Sequence, residues 1–364
     1  MVSSVRRTAP VAEPAAPQPV AADLPWLLEP LAQTLATQRS HALLLQGPSG
    51  VGQFEMALAL ARAWLCETPV DDDLQRPHGL ACGHCGSCHL VDERSHPDLR
   101  LIVPEALRAQ AGLEDDAGSD ADGEGSKKRK PSREIKVEQI RAAIDFSELT
   151  AGRAALKVLL VHPAEALNAV ASNALLKTLE EPPGRMRFVL STSAPQALLP
   201  TIRSRCQAVP LRPPPVAQAI AWLHTRGVPQ PEVLLAASGD QPLAAWALHQ
   251  GGLDAAQWLA LPERVRAGDA SAFSGWALPV VVDALQKLCH DRLMVGLNQP
   301  PRYFAGARLP AGLPGGDVAR LTAWGAALRR HARHAEHPWN AGLAVEALLI
   351  EAAAVDAAPI HSKP

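Results

Sequence analysis

Residues 41–66 read HALLLQGPSGVGQFEMALALARAWLC. The first six residues are a short apolar run, the pattern of a strand buried on both faces. Residues 54–66 read as the helix that follows it, and the turn between them carries Gly47, Gly50 and Gly52. A buried strand passing through a glycine-rich turn into a helix is the opening unit of a parallel sheet covered by helices. The same alternation returns downstream. KVLLV at 157–161 reads as a second buried strand and RFVLST at 187–192 as a third. The Ala-rich helix between them must end at Glu180 and Glu181, because Pro182 and Pro183 cannot continue it.

Beyond Cys206 the character changes. RPPP at 212–215 leads into Ala/Leu-rich helical blocks that run to about residue 356 and need no strand. The expected organisation is therefore an α/β domain over 23–209, a small helical domain over 210–260 and a helical domain over 261–356. Residues 1–22 are rich in Ala, Pro and Val without periodicity and read as a flexible leader, and 357–364 as a tail. Residues 105–133 hold an acidic Gly/Ser stretch followed by Lys127, Lys128, Arg129 and Lys130, and read as a disordered insert whose basic half balances its acidic half.

The chain has 364 residues, more than one domain ordinarily holds, and 47% are apolar, enough to build sizeable cores and to exclude bulk disorder. Lys and Arg number 35 against 37 Asp and Glu, a net charge of -2, so any contact with nucleic acid must come from local patches. No apolar run of about 18 residues and no signal-like start are present, which points to the cytoplasm.

The turn after the first strand has the frame of a phosphate-binding loop, G-x-x-x-x-G-K-[ST]. In that loop backbone amides cradle phosphate, Lys neutralises it and the hydroxyl holds magnesium. Here the frame is Gly47 to Gly52 followed by Gln53 and Phe54. Gln carries no charge and Phe offers no oxygen to a metal, so neither can do the original chemistry. In active enzymes of this architecture a hydrophobic strand also ends in acidic residues that hold magnesium. KVLLV runs instead into His162, Pro163 and Ala164, and Glu165 comes three residues on. Both halves of a hydrolytic site are chemically empty.

Cys66, Cys82, Cys85 and Cys88 stand as C-x15-C-x2-C-x2-C. Tight Cys-x2-Cys spacing lets a turn present successive thiolates to one tetrahedral Zn²⁺. His84, His89 and His96 stand near enough to replace Cys66 as the fourth ligand. A site closed by four protein ligands is structural, since no position is left for water. Cys289 lies in an apolar helical block and reads as core.

Two segments then carry a specific likeness: SNALLKTLEEPP at 172–183 and Ser204-Arg205-Cys206. With the strands around them they resemble the AAA+ clamp-loader family of bacterial DNA polymerase III. The likeness runs through 41–66 and 157–206, extends across the cysteine cluster and thins over the helical remainder. It implies an AAA+ core, with 210–260 as a helical lid and 261–356 as a collar through which subunits of a pentamer associate. His337-Pro338-Trp339-Asn340 and the apolar helix from Ala341 to Ala353 resemble its last helix. It implies that Arg205, between Ser204 and Cys206, is an arginine finger entering a neighbour's nucleotide site, and that Cys66 completes an all-sulfur zinc set. It implies gamma or tau and delta subunits as partners, with the sliding clamp and primed DNA reached through the assembled complex. Departures at Gln53, Phe54, His162 and Pro163 place the chain with the family's non-hydrolysing member; Pro242 stands where active members carry a sensor arginine. Two other readings stand beside this one: an active clamp-loader-type ATPase, and a zinc-containing DNA-binding protein that acts alone.

Overall fold

In the computed structural model of the chain, residues 23–113, 131–309, 317–335, 337 and 339–356 are described. The leader 1–22, the basic run 127–130, Pro338 and the tail 357–364 lie outside the described residues. Two compact units divide between Pro214 and Pro215.

The first unit opens with α1 (Pro25–Thr37), β1 (Ala42–Gln46), α2 (Gln53–Leu65) and the short α3 (Gly86–Asp92). It continues with β2 (Leu99–Ile102), α4 (Val137–Glu148), β3 (Lys157–Val161) and α5 (Ala169–Glu180), and closes with β4 (Met186–Thr192), α6 (Pro200–Arg203) and β5 (Gln207–Pro210). The five strands form one parallel sheet in the order β2-β3-β4-β1-β5. The apolar runs that announced β1 and β3 are its buried centre, all of β3 and Ala42 to Leu45 of β1 being buried. Successive side chains in a strand face opposite ways. Leu44, Leu159, Val161, Phe188 and Leu190 accordingly share one cluster with Ile140 and Phe146 of α4, Leu175 and Leu179 of α5, and Cys206. Val158 and Leu99 join Ala61 and Leu65 of α2 and Val91 of α3 in another.

β2 and β5 were not read from the sequence. Each has only four residues at a sheet edge, and β5 keeps just Val209 buried, so neither shows a continuous apolar run. The expected insert 105–133 is ordered at both ends. Glu105–Leu107 is a 3₁₀ turn, the Ala106 N–H donates to the Ser132 carbonyl (3.0 Å), and the Ser132 N–H donates to Glu105 Oε2 (2.9 Å). These bonds close a neck whose backbone groups would otherwise need water. Residues 114–130 lie outside the described residues.

The second unit is helical among its described residues: α7 (Val216–Thr225), α8 (Pro231–Ala237), α9 (Pro242–Gln250), α10 (Ala255–Arg266), α11 (Leu278–Gly296), α12 (Asp317–His334) and α13 (Ala341–Asp356). The expected boundary at 260 falls inside α10, which packs against both α8 and α13, so no break separates the chain there. Two helical blocks of similar composition carry no mark of such continuity. Asp291, wholly buried, accepts the N–H groups of Arg302, Tyr303 and Phe304 (3.0, 2.7 and 2.7 Å) and ties that loop to α11. Cys289 is core, its Sγ donating to the Leu321 carbonyl (3.3 Å). No described helix is long and apolar enough to cross a membrane.

Candidate functional site

The turn between β1 and α2 keeps its shape through packing of its own chain. A Cβ on Gly47 would lie 2.4 Å from the Leu211 carbonyl oxygen. Gly52 caps α2 at φ +102°, and a Cβ there would lie 2.8 Å from Leu27 Cδ1. Both glycines are therefore required by neighbouring atoms whether or not a phosphate ever enters.

The side chains that replace Lys and Ser/Thr turn inward. Gln53 is buried, and its Nε2 donates to the carbonyls of Gly47 (2.7 Å) and Pro48 (2.6 Å), bridging the start of the loop. Phe54 lays its ring 4.8 Å from the His162 ring, at 37° between planes. His162 follows the last residue of β3, where a catalytic carboxylate is expected in an active site. Burial pushes its imidazole down to about 4, with nearby Glu165 opposing, so it is neutral at pH 7. Its Nδ1 pairs with Ser191 Oγ (2.8 Å). Glu165 does not fill the gap, because its Oε1 accepts from the N–H (3.0 Å) and hydroxyl (2.7 Å) of Ser193 beyond β4. Protein atoms thus occupy both halves of what would be a nucleotide site.

Ser204, Arg205 and Cys206 lie together where α6 turns into β5. Each has a distinct local role. Cys206 is buried in the sheet cluster, and burial pushes its thiol up to about 12, which removes it as a nucleophile at neutral pH. Ser204 Oγ donates to the Thr201 carbonyl (3.1 Å) and closes the α6 turn. Arg205 stands between them at the surface, its Nη1 donating to the Thr201 carbonyl (2.9 Å) and its Nη2 to Glu180 at the end of α5.

At the other end of α2, Cys66 is the C-cap residue, Cys82 follows a loop, Cys85 caps α3 and Cys88 lies within α3. Their four sulfurs fall within 4.8 Å of one another, with Cys66–Cys85 and Cys82–Cys88 each at 3.9 Å. Sulfurs ~2.3 Å from a common tetrahedral centre lie about 3.8 Å apart, so the four donors fit a zinc ion. Burial opposes ionisation of Cys82, but hydrogen bonds from Thr68, from the amides of His84 and Cys85 and from Cys66 hold its thiol down at about 5. Cys88 is pushed up, mainly by burial. The alternative histidine ligands are committed elsewhere or absent from the cluster. His96 accepts the Asp98 N–H at Nδ1 (3.0 Å) and meets Ser87 Oγ through Nε2 (3.0 Å), while His84 contacts the Cys82 carbonyl and Gln75. His89 is not among the grouped donors.

The fifteen-residue gap between Cys66 and Cys82 is organised by a residue the sequence did not single out. Arg76 is buried and donates to four carbonyls: Leu80 (2.9 Å), Thr68 (2.8 Å), Ala63 (2.6 Å) and Gly79 (2.9 Å). A lone Arg in a polar loop gives no sequence signal for this, since its acceptors are backbone atoms that any sequence supplies. Glu67, beside Cys66, adds a second tie through Arg153 Nε (2.7 Å) and Ser87 Oγ (3.1 Å).

Comparison with known proteins gives one consistent answer. The family profile described as DNA polymerase III, delta subunit matches residues 25–215. The DNA polymerase III subunit delta' of Pseudomonas aeruginosa is 38% identical over 222 residues, covering 59% of this chain and 58% of that protein. The Escherichia coli subunit delta' is 31% identical over 326 residues, covering 82% of this chain and 87% of that protein. The Escherichia coli subunit tau is 33% identical over 181 residues, half of this chain and 23% of tau.

Proposed function

The chain belongs to the family of DNA polymerase III delta' subunits, a clamp-loader family, and from that premise we propose that it serves a clamp loader without hydrolysing ATP. In this reading it assembles with gamma or tau and delta subunits, presents Arg205 to the ATP site of its neighbour, and so supports loading of the sliding clamp on primed DNA. The supporting observation is the contrast between two places on one sheet. The phosphate loop is filled by Gln53, Phe54 and His162, whereas Arg205 is held at the surface by a buried Cys206 and a capped turn. A guanidinium delivered in trans meets charge developing on the transferring phosphoryl group, a contribution of roughly 10³–10⁵ in rate, or about 4–7 kcal/mol of barrier.

Two further parts belong to this reading. Zinc held by Cys66, Cys82, Cys85 and Cys88 is structural: it ties the end of α2 to α3, and four protein ligands leave no coordination position for substrate. On α13, Val345, Leu348, Ala352 and Val355 face inward, while Leu343 and Ile350, seven residues apart, are 64% and 71% exposed. That outward apolar pair suits assembly through the carboxy-terminal helices.

The test is reconstitution with gamma or tau and delta subunits, comparing clamp- and DNA-stimulated ATPase for wild type and Arg205→Ala. The variant complex is expected to assemble and to lose most of the stimulation at the site this chain adjoins. Wild-type turnover by an assembled Arg205→Ala complex would remove the finger from the reading, and turnover by the isolated wild-type chain would revive an active ATPase.

A further inference from the structure

The two sequence segments that carry the family likeness touch each other, and they do so through one ion pair. Nη2 of Arg205 donates to Glu180 Oε1. From this geometry we infer that Glu180 is the positioning residue for Arg205, holding the guanidinium at the surface in a fixed direction before a neighbour's nucleotide arrives. The inference rests on the finger reading given above.

Both partners spring from rigid backbone. Leu179, the residue before Glu180, is buried in the same cluster as Cys206, the residue after Arg205. The Leu179 carbonyl at the end of α5 is paired with His41 Nε2 (2.8 Å), and Glu181, Pro182 and Pro183 prevent the helix from running on. The Arg205 N–H donates to the Ile202 carbonyl (3.1 Å). An ion pair strung between two such anchors fixes a direction, which a pair between mobile loops would not.

The pair also leaves the guanidinium free to work. Arg has five N–H donors in a fixed fork. One Nη1 donor reaches Thr201 and one Nη2 donor reaches Glu180, so the Nε–H and one outward N–H on each terminal nitrogen remain for phosphate oxygens. Side-chain exposures of 33% for Arg205 and 48% for Glu180 place the pair in screened surroundings, where ion pairs add little to folding stability. Its value is orientation: a long side chain restrained beforehand loses less freedom when it meets the transition state.

The expected consequence is a loss in kcat for stimulated ATP hydrolysis of the reconstituted complex, of about tenfold for Glu180→Ala, with KM for ATP little changed. Glu180→Gln, which keeps the shape and one acceptor oxygen, should fall between Ala and wild type. A residue that merely supports the fold would slow an Arg205→Ala complex further. A positioning residue cannot, so Glu180→Ala should add nothing in that background. Complex stoichiometry by size-exclusion chromatography with light scattering verifies assembly for each variant. Glu180→Ala turnover equal to or faster than wild type, while Arg205→Ala is slow, would overturn the positioning role and leave the finger standing. If Arg205→Ala is itself as fast as wild type, the finger fails and the positioning role falls with it.

Discussion

α2 has a ligand-type site at each of its ends, and the two have opposite states. At its amino end the phosphate-loop frame is intact in backbone but filled by side chains, with Gln53 bridging the Gly47 and Pro48 carbonyls and Phe54 against His162. At its carboxy end four thiols surround a common centre with none of their own chain between them. A backbone cradle survives because Leu211, Leu24 and Leu27 require its glycines, so its persistence says nothing about a ligand. A cluster of four cysteines has no such packing reason. Convergent donors are the better evidence for a bound group than a retained loop shape.

The largest expected effect lies at the cysteine end. One equivalent of zinc per chain should be found by elemental analysis of protein purified without chelators, and Cys88→Ser should abolish it. Structural zinc contributes on the order of 10 kcal/mol of binding free energy in small modules, so chelation should lower the thermal midpoint by about 10 °C or more. Metal-free wild-type protein with an unchanged midpoint would make the cluster as inert as the loop. Next in size is Arg76→Ala. It strands four carbonyls that the guanidinium now satisfies, and should cost about 3–5 kcal/mol in denaturant unfolding. The same change should weaken zinc 10–100-fold, roughly the loss seen when support behind a metal ligand is removed. Unchanged zinc affinity in Arg76→Ala would show that the cysteines hold their own geometry.

At the loop end the effect is smaller and depends on pH. The folded His162 imidazole is depressed from 6.5 to about 4. The unfolded chain therefore binds the proton first, and stability present above pH 6.5 is lost as pH falls toward 4, by about 2–3 kcal/mol. Glu55, whose carboxyl burial pushes up to about 7, works in the opposite direction over part of that range. The comparison is therefore His162→Gln against His162, both in a Glu55→Gln background, by urea unfolding at pH 7 and pH 4.5. Equal losses in the two chains would mean that His162 is not buried behind Phe54 as the ring contact requires.

How much of this was legible in sequence follows from where the signal resides. The central strands announced themselves because burial on both faces demands unbroken apolar runs, as at 157–161. β2 and β5 did not, because an edge strand of four residues needs only one or two buried side chains. The chemistry of Gln53, Phe54 and the cysteines could be read directly, since donors, charges and thiolates belong to residue types. The contacts of Arg76 and the Glu180–Arg205 pair could not, since they depend on which backbone carbonyls and which helix end the fold brings near. The boundary expected at 260 failed to appear for a related reason: α10 joins what it seemed to divide through packing on α8 and α13.

The smallest expected effect makes the sharpest contrast between the two ends of α2. Replacing Gln53 by Lys and Phe54 by Thr restores the missing charge and hydroxyl of the loop in one step. It also removes the amide bridge across the loop entrance and the ring that covers His162. A cradle whose only defects were these two side chains would then turn over ATP, even if at the ~10⁻² s⁻¹ of a slow phosphohydrolase. The expected result is no turnover above background, because β3 still ends at His162, neutral at pH 7, and Glu165 remains bonded to Ser193 instead of facing a metal. Nucleotide may enter such a loop without reacting, so the check is phosphate release by the isolated variant at saturating ATP and magnesium. Measurable release would show that the strand end is not a second, independent loss.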